Sequence, residues 1–230
     1  MKIAMCVCAL AAGAASGGVL FSQPTVTDPA NVGFGYFSHD APRATHSFKH
    51  ADGFVLGEAA DVERVAWWGL SENMDHPGLT NFTSFTVEFY TAGFGASGSG
   101  VGRPDTLIAG ETFVISDTNT TATGRLSPAG GIEYRHEVAL STPMRFEAGQ
   151  TYYVAISAGF IDGLSDGWQW QDSDLYDGFS GIYEYARERW TPFEDTDSAF
   201  ELFGTPVPGP GTAGVVAAVM LGCAGRRRRQ

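Results

Sequence analysis

The chain has 230 residues and a formal net charge of −12, with 26 Asp and Glu against 14 Lys and Arg. All 26 acids and only nine of the bases lie between positions 18 and 205, so that stretch is near −17 and is unsuited to nucleic acid or to an anionic membrane surface. The three cysteines, Cys6, Cys8 and Cys223, sit near the two ends, which leaves the body without a disulfide, a thiolate metal site or a cysteine nucleophile.

At the N-terminus Lys2 precedes an apolar run over residues 3–12 and then the small residues AGAASGG. That order predicts a secretory signal peptide over residues 1–17, cut after Ala14 or Gly17, and therefore an exported protein. The body that follows, residues 18–204, is long enough for one domain with a full core.

Short runs rich in β-branched and aromatic residues recur between Gly, Pro, Asp and Asn clusters, and few stretches have a helical period. Strands are predicted at 54–57, 62–70, 82–92, 106–115, 132–140, 151–159, 167–171, 180–190 and 198–204. Phe82, Phe85, Val87 and Phe89 mostly alternate with Thr, Ser and Glu, and Ile132, Tyr134, His136, Val138 and Leu140 share one face of their run. About nine strands with no intervening helix predict an all-β, antiparallel β-sandwich, jelly-roll-like in its winding, with an up-and-down barrel as the alternative.

Several residues along these strands could carry chemistry. His46 and His50 are four apart but lead into a strand, which makes them a sheet edge and not a helical zinc pair. Trp67 and Trp68 are adjacent and must face opposite ways. Trp168 and Trp170 share one face of WQWQ, with Gln169 and Gln171 on the other. Two aromatics at that spacing either build the core or offer an apolar platform to a sugar, and at least one of the pair is expected in the core. Trp68 and Tyr183 are further candidates for the same ligand, with Tyr185 and Trp190 extending the patch.

The loop at 172–178, DSDLYDG, places Asp172, Asp174 and Asp177 before Gly178. Its spacing is that of an EF-hand loop with one insertion and no flanking helices. Either the three aspartates hold a calcium ion, the only cofactor the sequence suggests, or the loop is a solvated acidic turn.

Residues 205–230 form a separate tail. Pro and Gly open it, residues 211–225 carry no charge, and Arg226, Arg227, Arg228 and Arg229 close it. As a helix the apolar run spans about 22 Å, short of the roughly 30 Å hydrocarbon core, which suits transient insertion with the arginines on the cytoplasmic side. Val207, Pro208 and Pro210 followed by that run and the arginine cluster resemble the PEP-CTERM sorting signal, with Gly209 where the family usually has glutamate. The resemblance implies sorting to the envelope of a bacterium with an exopolysaccharide matrix, by an exosortase-type processing enzyme. Residues 51–70, 85–93 and 148–157, ahead of WQW, also resemble the sandwich domains found before such tails, which bears on the fold alone.

These readings converge on a non-enzymatic envelope or extracellular-matrix protein, for which exopolysaccharide binding is the leading refinement and a purely structural or adhesive surface domain the second reading. A secreted glycoside hydrolase or lyase acting on matrix polysaccharide is the alternative. If the tail is a processed label, mature protein from the native host lacks Arg226 to Arg229. Intact arginines found by mass spectrometry on the surface-bound protein would mean a simple anchor instead.

Overall fold

The computed structural model describes residues 17–27, 35–39, 48–71, 82–94, 102–127, 130–160, 168–175, 180–193 and 197–208. Residues 1–16, which hold most of the expected signal peptide, and residues 209–230, which hold Pro210 and the four arginines, lie outside them. The described residues form thirteen strands and no α-helix. In order these are β1 (Gly18–Gln23), β2 (Gly35–Phe37), β3 (Phe48–Val55), β4 (Ala60–Ser71), β5 (Phe82–Phe94) and β6 (Gly102–Val114). Then come β7 (Asn119–Leu126), β8 (Ile132–Phe146), β9 (Thr151–Phe160), β10 (Trp168–Gln171), β11 (Ser180–Glu184), β12 (Arg189–Phe193) and β13 (Phe200–Pro206).

The strands make two separate antiparallel sheets, not one closed barrel. β4 is the spine of the seven-stranded sheet. Along one edge it pairs with β8 from Ala60↔Phe146 to Ser71↔Ile132, and β7 adds outside β8. The other edge is shared: β13 takes the stretch from Ala60 to Trp67, and β10 takes Gly69 to Ser71. β1 then pairs with β13, and β2 with β10. The six-stranded sheet runs β12-β11-β3-β9-β5-β6.

Alternation along the strands explains why the sheets stack. Phe85, Val87 and Phe89 of β5 and Tyr152, Val154, Ile156 and Ala158 of β9 all point to the interior. They meet Val65 and Trp67 of β4, Trp168 and Trp170 of β10, and Phe200 and Leu202 of β13 in one core. This is a β-sandwich, held by burial of apolar faces. Trp67, Phe85 and Trp168 form a chain of edge-to-face contacts at 5.2 and 5.3 Å between centroids. His136 stacks on Trp67 at 5.4 Å, and burial holds its pKa down at about 3, so it sits in the core as a neutral ring.

Several elements differ from the sequence reading, each for a local reason. β7 was not expected, because NTTATGRL has almost no apolar residue and pairs on one side only, where an edge strand needs no buried face. β8 runs on through Pro143 to Phe146. The ladder jumps from Val62↔Met144 to Arg64↔Ala139, so this proline sits in a bulge where no ladder hydrogen bond is asked of it. The run expected at 180–190 is two strands, β11 and β12, reversed by a 3-10 turn at Tyr185–Arg187 and by Glu188 at φ 50°.

Because Trp168 is fully buried and central to the aromatic chain, Trp168→Ala should cost about 3–5 kcal/mol in urea melts, the usual loss for deleting a large core aromatic. A loss under about 1 kcal/mol would contradict this packing.

Candidate functional site

The four aromatic residues singled out for a ligand go to three different places. Trp168 and Trp170 are both core, at 0 % exposure, and Gln169 and Gln171 on the other face are buried too. Both pack into the core between the two sheets, so neither indole has an open face to stack on a sugar, and of the two readings of this pair the core one, expected for at least one of them, holds for both. The Trp170 indole N–H donates to the Ala199 carbonyl at 2.9 Å, a bond a solvent-facing ring would not need.

Trp68 lies half-buried on the outer face of the seven-stranded sheet. Its ring is capped by Arg135, whose guanidinium is 5.5 Å from the ring centroid. Arg135 and Arg64 both bond Glu137, at 2.8 and 2.7 Å, and Arg135 also reaches Glu201 at 3.4 Å. Arg64 lies over Phe203 at 4.7 Å. Partial burial alone would raise the Glu137 pKa, but hydrogen bonds and charge from the two arginines hold it below the ordinary value. This is a ladder whose charges answer one another.

Tyr183 sits on the outer face of the six-stranded sheet, and here other aromatics gather. Register places Tyr183 opposite Trp190 on one side and Lys49 on the other. Tyr183 meets Trp190 at 5.3 Å and Tyr185 at 5.2 Å, both edge-to-face, and Trp190 meets Tyr90 at 5.3 Å. Tyr90, Tyr153, Ala51, Ala155 and Trp190 form a second buried cluster outside the main core, with Tyr183 against it. Between the aromatics the floor is small: Gly181 pairs with Ala51, and Ala51 with Ala155. The start of β6 closes over part of it. A Cβ on Gly181 would come within 2.9 Å of the Pro104 ring, and one on Gly102 within 2.7 Å of the Tyr153 hydroxyl.

Beside this cluster the Lys49 ammonium donates to Glu88 Oε2 at 2.5 Å, with side-chain exposures of 10 and 15 %. Burial, then the charge of Glu88 and a hydrogen bond to it, raise the Tyr90 phenol well above its ordinary value, so it stays protonated. Tyr183 and Tyr185 remain half-exposed at the rim. The Tyr185 hydroxyl donates to the His39 carbonyl at 3.0 Å, so what the rim offers a ligand is chiefly the half-exposed Tyr183 beside a neutralised ion pair.

The acidic loop divides. Asp172 is buried, whereas Asp174 is exposed and accepts from the Thr27 backbone N–H at 2.6 Å and its hydroxyl at 2.7 Å. Those bonds lower the Asp174 pKa and tie the loop to the N-terminal segment. Asp177 lies outside the described residues. Among the described residues no three of His, Cys, Asp and Glu are grouped to hold a metal ion. His50 is a fully buried ring stacked on Tyr36 at 5.2 Å, and His46 also lies outside the described residues.

No family model matches the chain, and no curated protein matches it. Sequence reasoning missed Lys49, Glu88, Tyr90 and Tyr153 as neighbours of Tyr183. The one signal was parity: Lys49 and Ala51 alternate with His50 and Asp52, and so share the face opposite the core.

Lys49→Met would leave Glu88 buried beside no cation. It should cost about 3–5 kcal/mol, as breaking a buried pair does, while Lys49→Met with Glu88→Leu should recover most of the loss. Losses that simply add between Lys49→Met and Glu88→Leu, each measured alone and together in a thermodynamic cycle, would mean that the pair is not coupled.

Proposed function

We propose that this is an exported, non-enzymatic envelope or matrix protein, whose sandwich binds polysaccharide on the outer face of its six-stranded sheet at Tyr183 and Tyr185. The observation that carries the reading is the aromatic cluster on that face. An antiparallel sheet usually turns polar residues outward, and the half-exposed tyrosines at the rim of this buried cluster give that face an aromatic surface suited to a ligand. Sugars suit this surface, because their C–H faces pack against the face of an aromatic ring while phenol, carboxylate and ammonium groups meet their hydroxyls. The signal peptide, the PEP-CTERM-like tail and its apolar helix supply the route to the surface in this reading. Most successive strands, such as β3 to β4, β4 to β5 and β8 to β9, pass from one sheet to the other, which supports a jelly-roll-like winding. A calcium ion at the 172–178 loop stays a subsidiary proposal.

The test is a pull-down with the host's own extracellular polysaccharide. Tyr183→Ala should lower binding tenfold or more, in keeping with loss of a central aromatic contact, whereas Trp68→Ala on the opposite face should not alter it. Undiminished binding by folded Tyr183→Ala would sink the site. Release of new sugar chain ends by the wild-type protein would favour the hydrolase or lyase reading instead.

A further inference from the structure

Gly17, the residue before β1, is already built into the seven-stranded sheet. It precedes the first pair of β1 with β13, Gly18↔Gly204. It lies so close to β13 that a Cβ on it would come within 2.7 Å of the Gly204 Cα and 2.9 Å of the Gly204 carbonyl. Gly204 has no room to retreat. It stands where the ladder between β13 and β4 shifts, and a Cβ of its own would run into the Asp61 carbonyl. Position 17 therefore needs glycine for its backbone to rest on β13.

The Gly17 carbonyl is engaged as well. It accepts from Arg64 Nη2 at 3.4 Å. The other arm of that guanidinium bonds Glu137 at 2.7 Å, and the group lies over the Phe203 ring at 4.7 Å. Gly17 thus completes the shell around Arg64 on the outer face of this sheet.

We infer that the mature chain begins at Ala15, and that Gly17 is a structural residue of the domain and not the end of the leader. The inference rests on the export reading proposed above and selects one of two processing sites. Both offer a signal peptidase its small residues one and three positions before the cut: Ala12 and Ala14 for the first, Ala15 and Gly17 for the second. At the first site water adds across the Ala14–Ala15 peptide bond, leaving a carboxylate on Ala14 of the leader and an ammonium on Ala15. The domain then keeps Gly17 with its contacts to Gly204 and Arg64.

A cut after Gly17 would do the opposite. It would take the carbonyl acceptor from Arg64 and uncover the Gly204 backbone. It would also create the new ammonium on Gly18, one peptide unit from a guanidinium whose side chain is only 35 % exposed. Two positive charges that close repel, and partial burial strengthens the repulsion. A cut after Ala14 carries the ammonium to Ala15, three residues further from Arg64 along the chain.

The first measurement is the N-terminus of the protein recovered from the native host's envelope or medium, by N-terminal sequencing and intact mass. Ala15 is the expected first residue. A start at Gly18, or at any other residue within the run, overturns the inference while leaving export standing. A chain that keeps Met1 overturns the export reading itself, and the inference with it. The second measurement does not depend on export. Gly17→Ala in the full chain keeps a small residue that the peptidase accepts, yet it sets a Cβ against Gly204, so its melting temperature should fall below that of the wild type. Gly18→Ala, where a Cβ would meet nothing within 4 Å, should not lower it. Equal melting of the two variants overturns the structural role of Gly17.

Discussion

The indole of Trp168 lies across the backbone of Gly69, so close that a Cβ on that glycine would come within 2.8 Å of its ring. This contact lets β10 sit beside the end of β4 with a large aromatic facing inward, and the chain Trp67–Phe85–Trp168 then ties the two sheets together. Only glycine at position 69 admits it. The short β10 thus does what its four residues could not do alone: it fills the edge of β4 left vacant by β13 and carries two tryptophans into the interior. Close packing of this kind leaves little room for adjustment, and the register of β4 against β8, β10 and β13 depends on it.

Around that core the protein buries several ionisable groups. Asp52, Asp172, Asp197, Glu133, His50 and His136 are all nearly or fully buried. Each buried polar group carries a desolvation penalty unless something answers it. Glu133 is answered by two threonines and Arg125, Asp52 by backbone N–H groups and Gln23, and His136 by Thr120 at 2.9 Å. These links join segments far apart in the chain, so the same groups that cost solvation energy also specify which loop meets which strand. The acidic character of the body is in this sense partly internal, and its surface carries paired ladders such as that of Arg64, Arg135, Glu137 and Glu201.

The two outer faces differ for a physical reason. On the seven-stranded sheet, arginines and glutamates of neighbouring strands neutralise one another and cap Trp68, leaving a surface that needs nothing further. On the six-stranded sheet, small residues at Gly181, Ala51 and Ala155 form the floor on which Tyr90, Tyr153 and Trp190 pack, and Pro104 lies close over Gly181. Tyr183 and Tyr185 remain half-exposed beside that cluster.

Strand character was legible from the sequence alone, because alternation at Phe85, Val87 and Phe89 and the density of β-branched and aromatic residues depend only on neighbours along the chain. The all-β class, and a paired arrangement for the sheets, followed from that pattern. What lies across the chain was not legible. Nothing local distinguishes a tryptophan at Trp168, where β10 is paired on both edges, from one at Trp68, capped by an arginine of β8. Nor does DSDLYDG disclose that Asp172 is buried while Asp174 turns outward to Thr27. Period-two patterning tells which residues share a face, but which face is covered, and by what, is set by strand order and by segments over a hundred residues away. Only the tertiary structure could decide it.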